Sequence, residues 1–171
     1  FTTNIFDDSG AVSRMVGSIE DITDSETDPM TGAIMRAAGT ERIEQILKSD
    51  PEAGSVHAFM IADLDNFKNL NDRLGHMWGD HALHDVVKII RDNCRAQDVI
   101  CRLGGDEFVV FFRDIPLDVL QERVKLLSEQ LHITYENEGE TVTISVSMGI
   151  ALTEKGKVTF QELYKMADKG L

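Results

Sequence analysis

Residues 99–112 read VICRLGGDEFVVFF: two short apolar runs, Val99 to Leu103 and Phe108 to Phe112, separated only by Gly104-Gly105-Asp106-Glu107. Apolar β-formers on both sides of paired glycines predict a tight antiparallel hairpin, with glycine supplying the positive φ of the turn. The turn carries two carboxylates, Asp106 and Glu107, at its tip. Upstream, Ser55 to Ala62 (SVHAFMIA) is a nearly continuous apolar run, as expected of a strand buried on both faces. It runs straight into Asp63-Leu64-Asp65, where the two-residue period of a strand puts both acids on one side of the backbone.

Outward from this frame the pattern alternates. A helical segment begins after Asp28-Pro29, with Ile34, Ala37, Ala38, Ile43, Ile46 and Leu47 on one apolar face, and Asp50-Pro51 stops it. Asn66 to Leu74 is a short helical piece, and His81 to Cys94 is an amphipathic helix with Leu83, Val86, Val87, Ile89 and Ile90 facing the sheet. Pro116 sits at the start of a further helix through Leu131. Thr141 to Leu152 is a long β-branched strand, and Phe160 to Lys169 opens a last helix. These elements predict an α/β (α+β) fold, a sheet covered by helices. At the other end, Phe1 to Phe6 and Ala11 to Glu20 read as extended runs around the turn cluster Asp7-Asp8-Ser9-Gly10, and Asp21 to Thr27 as an acidic connector. A first residue that is Phe rather than Met suggests a piece of something longer, and a processed terminus would look the same.

The chain has 171 residues, of which 42% are hydrophobic, enough for one real core. Lys and Arg number 17 against 30 Asp and Glu, so 17 − 30 = −13, and no net field gathers a nucleic acid or an anionic membrane surface. Any phosphate chemistry must be local. Two cysteines, Cys94 and Cys101, make neither a disulfide framework nor a zinc ribbon, and a reducing cytoplasm fits them best. No apolar run approaches the roughly 20 residues that span a bilayer. A membrane tether upstream in a longer protein stays open.

Two like charges at a buried strand end are costly unless a cation neutralises them. If the hairpin lies beside the first strand, Asp106 and Glu107 join Asp63, and a hard divalent cation such as magnesium is the natural occupant. Taken singly, each acidic pair reads rather as a solvated turn; the coincidence of both at strand ends tips the balance toward the cation. Lys68 and the main-chain N–H groups of Asn66 and Phe67 would offer positive charge to a phosphate at a helix start, although an exposed helix lysine is the plainer reading. Asn71, His76 and Asp80 lie in NDRLGHMWGD, where Gly75 and Gly79 read as brackets of an interhelical loop. An amide and a carboxylate there would favour guanine, whose N1–H and N2–H₂ donors adenine does not match; helix capping is the competing reading. His81 and His84 lack a partner at metalloprotease spacing, so zinc is disfavoured, and both cysteines read as core.

Taken together these motifs resemble the GGDEF family, the bacterial diguanylate cyclases. The resemblance is carried by Asp63-x-Asp65-x-Phe67-Lys68-x-x-Asn71-Asp72, Gly75-His76-x-x-Gly79-Asp80, Arg102-x-Gly104-Gly105-Asp106-Glu107-Phe108, Thr143-x-Ser145 and Met148-Gly149-Ile150-Ala151, in the family's order and spacing. It covers Asp28 to Leu171. It implies a central, mainly antiparallel sheet of about five strands wrapped by helices, like nucleotidyl cyclases and polymerase palms. It also implies condensation of two GTP into cyclic di-GMP and two pyrophosphates. Asp63, the Leu64 carbonyl and Asp106 would hold two magnesium ions, or manganese in their place. Asn71 and Asp80 would read guanine, His76 would assist near the nucleotide, and Asn66, Phe67 and Lys68 would lie along the phosphates. Asp106 and Glu107 are the candidate catalytic acids, either of which would take the ribose 3′ proton, with Glu107 alternatively bracing the second metal. Each domain would hold half the reaction, so a homodimer is implied. Arg95-x-x-Asp98, five residues before Gly104, matches the family's product-inhibition site for cyclic di-GMP, where a surface ion pair is the plain alternative.

Residues 1–20 resemble the final hairpin of a PAS-like sensor domain, with 21–27 as its outgoing linker and 28–171 as the GGDEF domain. Two departures stand out. Met35 occupies the place of the family's usual Asn, and the chain ends at Leu171, before the Lys and Arg of the family's final helix, which implies weak GTP binding by this stretch alone. The rival functions are a catalytically silent cyclic di-GMP receptor and a GTP-binding regulatory module.

Overall fold

The computed structural model describes residues 2–6, 12–17, 26–49, 56–153 and 158–171. β1 (Thr2–Phe6) and β2 (Val12–Gly17) pair antiparallel as a sheet of their own, with Thr2 opposite Gly17. The turn cluster at Asp7, the end of the second extended run, most of the acidic connector and the Asp50-Pro51 stop lie outside the described residues.

The main sheet has six strands, one more than expected. They are β3 (Ile34–Met35), β4 (His57–Asp65), β5 (Val99–Gly104), β6 (Glu107–Phe112), β7 (Ile133–Asn137) and β8 (Glu140–Thr153). Their order is β3-β5-β6-β4-β8-β7, antiparallel throughout except for the β3–β5 pair. β7 is missed by the sequence reading because ITYEN buries only Tyr135 and offers no apolar run. β3 falls inside the segment read as helix. Parallel pairing of Ile34 with Cys101, and the Met35 N–H donated to the Glu26 carbonyl at 2.7 Å, hold it extended until Arg36.

The described residues form five helices: α1 (Arg36–Lys48), α2 (Phe67–Leu74), α3 (His76–Asp92), α4 (Leu117–Gln130) and α5 (Phe160–Asp168). Strand alternation divides the core between the two faces of the sheet. Ala58, Met60, Ala62, Leu64, Phe108, Val110 and Phe112 pack under α2, α3 and α4, while Phe59, Ile61, Val109 and Phe111 pack under α1 and α5. Each large apolar side chain buried this way contributes about 1.5–3 kcal/mol. On α1 the inward positions are Gly39, Ile43 and Leu47; Ala37, expected on the apolar face, is exposed.

α3 starts five residues earlier than the sequence reading expects. Only Gly75 breaks the chain between α2 and α3, whereas Gly79 is helical and buried. Its lack of a side chain is needed there, since a Cβ would run into Oδ1 of Asn71. α5 is fixed by a reciprocal capping box between Thr159 and Glu162 and by the Phe160 ring, which meets Phe59 edge-on at 5.1 Å. Near its other end Gly149 of β8 lets the Ala167 carbonyl lie directly on the strand. No helix among the described residues is long and apolar enough to cross a membrane.

Candidate active site

The register of β4 against β6 decides the site. Asp63 is the cross-strand partner of Glu107, and the Leu64 N–H donates to the Asp106 carbonyl at 3.3 Å. An antiparallel residue points its N–H and C=O to the same edge, so the Leu64 carbonyl also faces the hairpin. Asp63, Asp65 and Glu107 continue the face that carries Phe59, Ile61, Val109 and Phe111. That face is therefore apolar under the helices and acidic at the strand ends. The condition set by the sequence, that the hairpin lie beside the first strand, is met.

Burial, and then repulsion from Asp106, Glu107 and Asp65, pushes the Asp63 carboxyl above its ordinary value. Asp65 is occupied differently: its two oxygens accept from the hydroxyls of Ser145 at 2.9 Å and Ser147 at 2.8 Å. Glu107 Oε1 accepts from the Tyr164 hydroxyl at 2.6 Å. That hydrogen bond, with burial and the charge of Glu107, pushes the Tyr164 phenol up to about 12. Among the described residues no three His, Cys, Asp or Glu side chains are drawn tightly enough to cage a metal alone. Magnesium rarely uses an all-protein cage; it takes one or two carboxylates and completes its shell with water and substrate phosphates. The repulsion stored on Asp63 and the oxygen donors of Asp106 and Leu64 fit such an ion.

The turn is Gly105-Asp106, with φ of +56° at Gly105 and an irregular register between Arg102 and Gly104. Arg102 spans it from below. Its Nε and Nη2 donate to the Gly105 carbonyl at 3.1 and 2.7 Å, and its Nη1 donates to Asp28 Oδ2 at 3.0 Å. Arg102 stands two residues before Gly104 in the sequence, where no local signal marks this role.

The candidate nucleotide residues gather on α2 and the start of α3. Asn66 has left-handed backbone, φ +67°, and its amide donates to the Thr143 carbonyl at 2.9 Å, so its side chain ties the β4–α2 corner to β8. α2 has no side-chain cap, leaving the N–H groups at Phe67 and Lys68 open. Phe67 is half-buried and Lys68 exposed. Asn71 lies against Gly79, the neighbour of Asp80, and His76 stands one turn before Asp80 on the same exposed helix face. Asn71, near the end of α2, is thus brought beside His76 and Asp80 at the start of α3, on two packed helices rather than in the expected loop.

Arg95 and Asp98 form a second place. The Asp98 side chain is 0% exposed; it accepts from the Arg95 N–H at 2.7 Å, the Arg113 N–H at 3.1 Å and Arg123 Nη1 at 3.4 Å. Arg95 Nη2 donates to the Arg113 carbonyl at 2.7 Å, while its buried Nε has no hydrogen-bond partner. A cavity of about 350 Å³ beside them is lined by Gly32, Arg91, Cys94, Arg95, Asp98 and Ile100. Arg123 is absent from the sequence reading because nothing local links it to Asp98, 25 residues away. Burial pushes the thiols of Cys94 and Cys101 up to about 12 and about 11; Cys101 is buried in the core, and Cys94 packs half-buried against it. His84 meets Asp85 at 3.7 Å on the surface, the one ion pair it makes among the described residues.

Residues 25–171 match the family described as diguanylate cyclase, GGDEF domain. The response regulator PleD of Caulobacter vibrioides is 32% identical over 148 residues, 85% of this chain and 33% of PleD. The diguanylate cyclase DgcP of Pseudomonas aeruginosa is 33% identical over 146 residues, 85% of this chain and 22% of DgcP. The chain thus spans a third or less of these relatives. A solved structure of a microbial GGDEF domain, described in its interaction with bis-(3′,5′)-cyclic di-GMP, superposes with a TM-score of 0.71 at 28% identity, covering 85% of this chain and 87% of that one.

Proposed function

This chain belongs to the GGDEF family of diguanylate cyclases, and on that premise we propose that it joins two GTP molecules into cyclic di-GMP with release of two pyrophosphates. The observation that carries this reading is the pairing of Asp63 with Glu107 across β4 and β6, with Asp106 at the adjoining turn. Acids set this close, and already repelling one another, suit a task that brings a divalent cation and phosphates between them.

Asp63, the Leu64 carbonyl and Asp106 would hold two magnesium or manganese ions, with Glu107 bracing the second. Bound there, such an ion would supply charge to offset the phosphates and to make the ribose 3′-hydroxyl more acidic. Asn71 and Asp80 take the donor edge of guanine, with His76 beside them. The open N-terminus of α2, at Asn66 and Phe67, and the Lys68 ammonium draw the phosphates. Asp106 and Glu107 stand at the tip of the hairpin, where one receives the proton of the attacking 3′-oxygen. In-line attack on an α-phosphorus needs position and charge balance more than covalent help, and this chain presents one nucleotide's worth of both. Two copies facing across a two-fold axis supply the second nucleotide.

Product feedback belongs to the same reading. The cavity at Arg95 takes a guanine of cyclic di-GMP, whose O6 and N7 suit a forked guanidinium. Residues 1–20 act as the tail of a PAS-like sensor domain that controls the enzyme through the connector at 21–27.

The test is incubation of the intact protein with GTP and magnesium, followed by chromatography of the products. The expected result is cyclic di-GMP at a rate per subunit that rises with protein concentration. GTP left unconsumed by a metal-replete preparation would overturn the reading in favour of a receptor or a GTP-binding regulator.

A further inference from the structure

Glu107 lies at the end of a strand, next to Asp63 and one residue from Asp106. A glutamate in that position has three rotatable bonds and two negative neighbours, and repulsion alone would swing it away from them. What restrains it comes from the far end of the chain. Tyr164, 57 residues away, donates its hydroxyl to Oε1 at 2.6 Å, leaving Oε2 to other partners.

The helix that carries this phenol is held from three sides. The Thr159–Glu162 capping box fixes its start, Phe160, Leu163 and Ala167 are buried against the sheet, and the bare Cα of Gly149 admits its last turn onto β8. Tyr164 is itself half-buried. A phenol delivered by so well-docked a helix has little freedom to leave the Glu107 carboxylate. Packing alone does not explain the residue, because Phe would fill the same space without the hydroxyl. The short bond between phenol and carboxylate has the form of the outer hydrogen bonds that orient metal-binding or reactive carboxylates.

We propose that Tyr164 is the positioning residue for Glu107, its hydroxyl fixing one carboxylate oxygen so that the other stays turned to the Asp63 and Asp106 edge. This deepens, and rests on, the reading of that edge as the metal-dependent active site. The base readers on α2 and α3 are not touched by it, so its effect belongs to metal binding and turnover rather than to GTP capture.

The experiment compares the intact protein with Tyr164→Phe, which removes one oxygen and keeps the ring. Binding of manganese(II) alone, followed by electron paramagnetic resonance of the free ion, is expected to weaken about 10- to 100-fold, the usual cost of losing such an outer partner. The value of kcat is expected to fall by a similar factor with KM for GTP nearly unchanged, and the melting temperature to stay within a degree or two. Equal manganese affinity in the two proteins overturns the proposal whatever the product assay gives. Weakened manganese binding with no cyclic di-GMP from the wild type upholds the positioning role and overturns the cyclase reading instead.

Discussion

Arg102 Nη1 lies 3.0 Å from Asp28 Oδ2, and each side chain is only 16% exposed. The same carboxylate oxygen accepts from the Thr31 N–H at 2.9 Å and the Thr31 hydroxyl at 2.6 Å. Because Arg102 also holds the Gly105 carbonyl, one guanidinium joins the first turn of the domain to the turn that bears Asp106. Burial opposes charge on Asp28, but the Thr31 bonds and Arg102 outweigh it and hold the carboxyl below its ordinary value. The stability this brings is complete above the ordinary carboxylate range and is lost as pH falls through the lowered value.

Arg102→Ala is therefore expected to cost about 1.5–3 kcal/mol in urea unfolding and to slow turnover by loosening the hairpin. Arg102→Lys should recover little of either, since an ammonium cannot fork between Asp28 and Gly105. Wild-type stability in the alanine variant would refute the bridging role.

Asp63→Asn should divide stability from activity. Asp63 binds its proton more tightly in the folded chain, so its ionised form destabilises the fold at neutral pH and that penalty lifts as pH falls. Neutralising it is expected to leave the melting temperature equal or higher while turnover drops about 10²-fold or more. Magnesium should raise the melting temperature of the wild type by mass action and not that of the variant. Thermal melts with and without the ion check both points.

Gly79→Ala places a methyl group against Asn71. The expected result is a higher KM for GTP and weaker discrimination against ATP, with each lost base contact worth about 10-fold or more, while circular dichroism stays native. Asn71→Ala and Asp80→Ala should share that signature. Unchanged nucleotide preference in all three would place guanine recognition elsewhere.

Arg95→Ala should weaken cyclic di-GMP binding about 10- to 100-fold, the worth of one forked contact to guanine. Calorimetry measures the affinity, and the progress curve of GTP consumption should then show no slowing as product accumulates. Retained inhibition at wild-type affinity would remove Arg95 from the product site.

His57 sets a lower pH limit on the fold. Its side chain is 3% exposed, and Nδ1 accepts the Asp114 N–H at 3.1 Å, so the buried ring is neutral. Desolvation outweighs the attraction of Asp114 and keeps its pKa below the ordinary 6.5. The unfolded chain takes up the proton that the native ring refuses, so stability is expected to decline as pH drops below about 6.5. Replacing His57 with Gln should flatten that slope in melts between about pH 5 and 7.

The sequence reveals the acidic edge because its signals are local: an apolar strand ending in Asp63-Leu64-Asp65 and a Gly-Gly turn ending in Asp106-Glu107. Only the register between them needed three dimensions. The errors have physical causes of the opposite kind. Gly79 resembles a loop residue because the reason for its presence, Asn71, lies on another helix. Ile34 matches a helical face until pairing with β5 claims it. Tyr164 and Arg123 look like ordinary positions on amphipathic helices, and only folding brings them to Glu107 and Asp98.

Asp65 accepts from Ser145 and Ser147, successive residues on one face of β8. A slide of that strand by a single two-residue step would leave one of those oxygens facing the bare Cα of Gly149 or the longer reach to Thr143. The acid thus works as a peg with two notches, indexing the long strand against its neighbour.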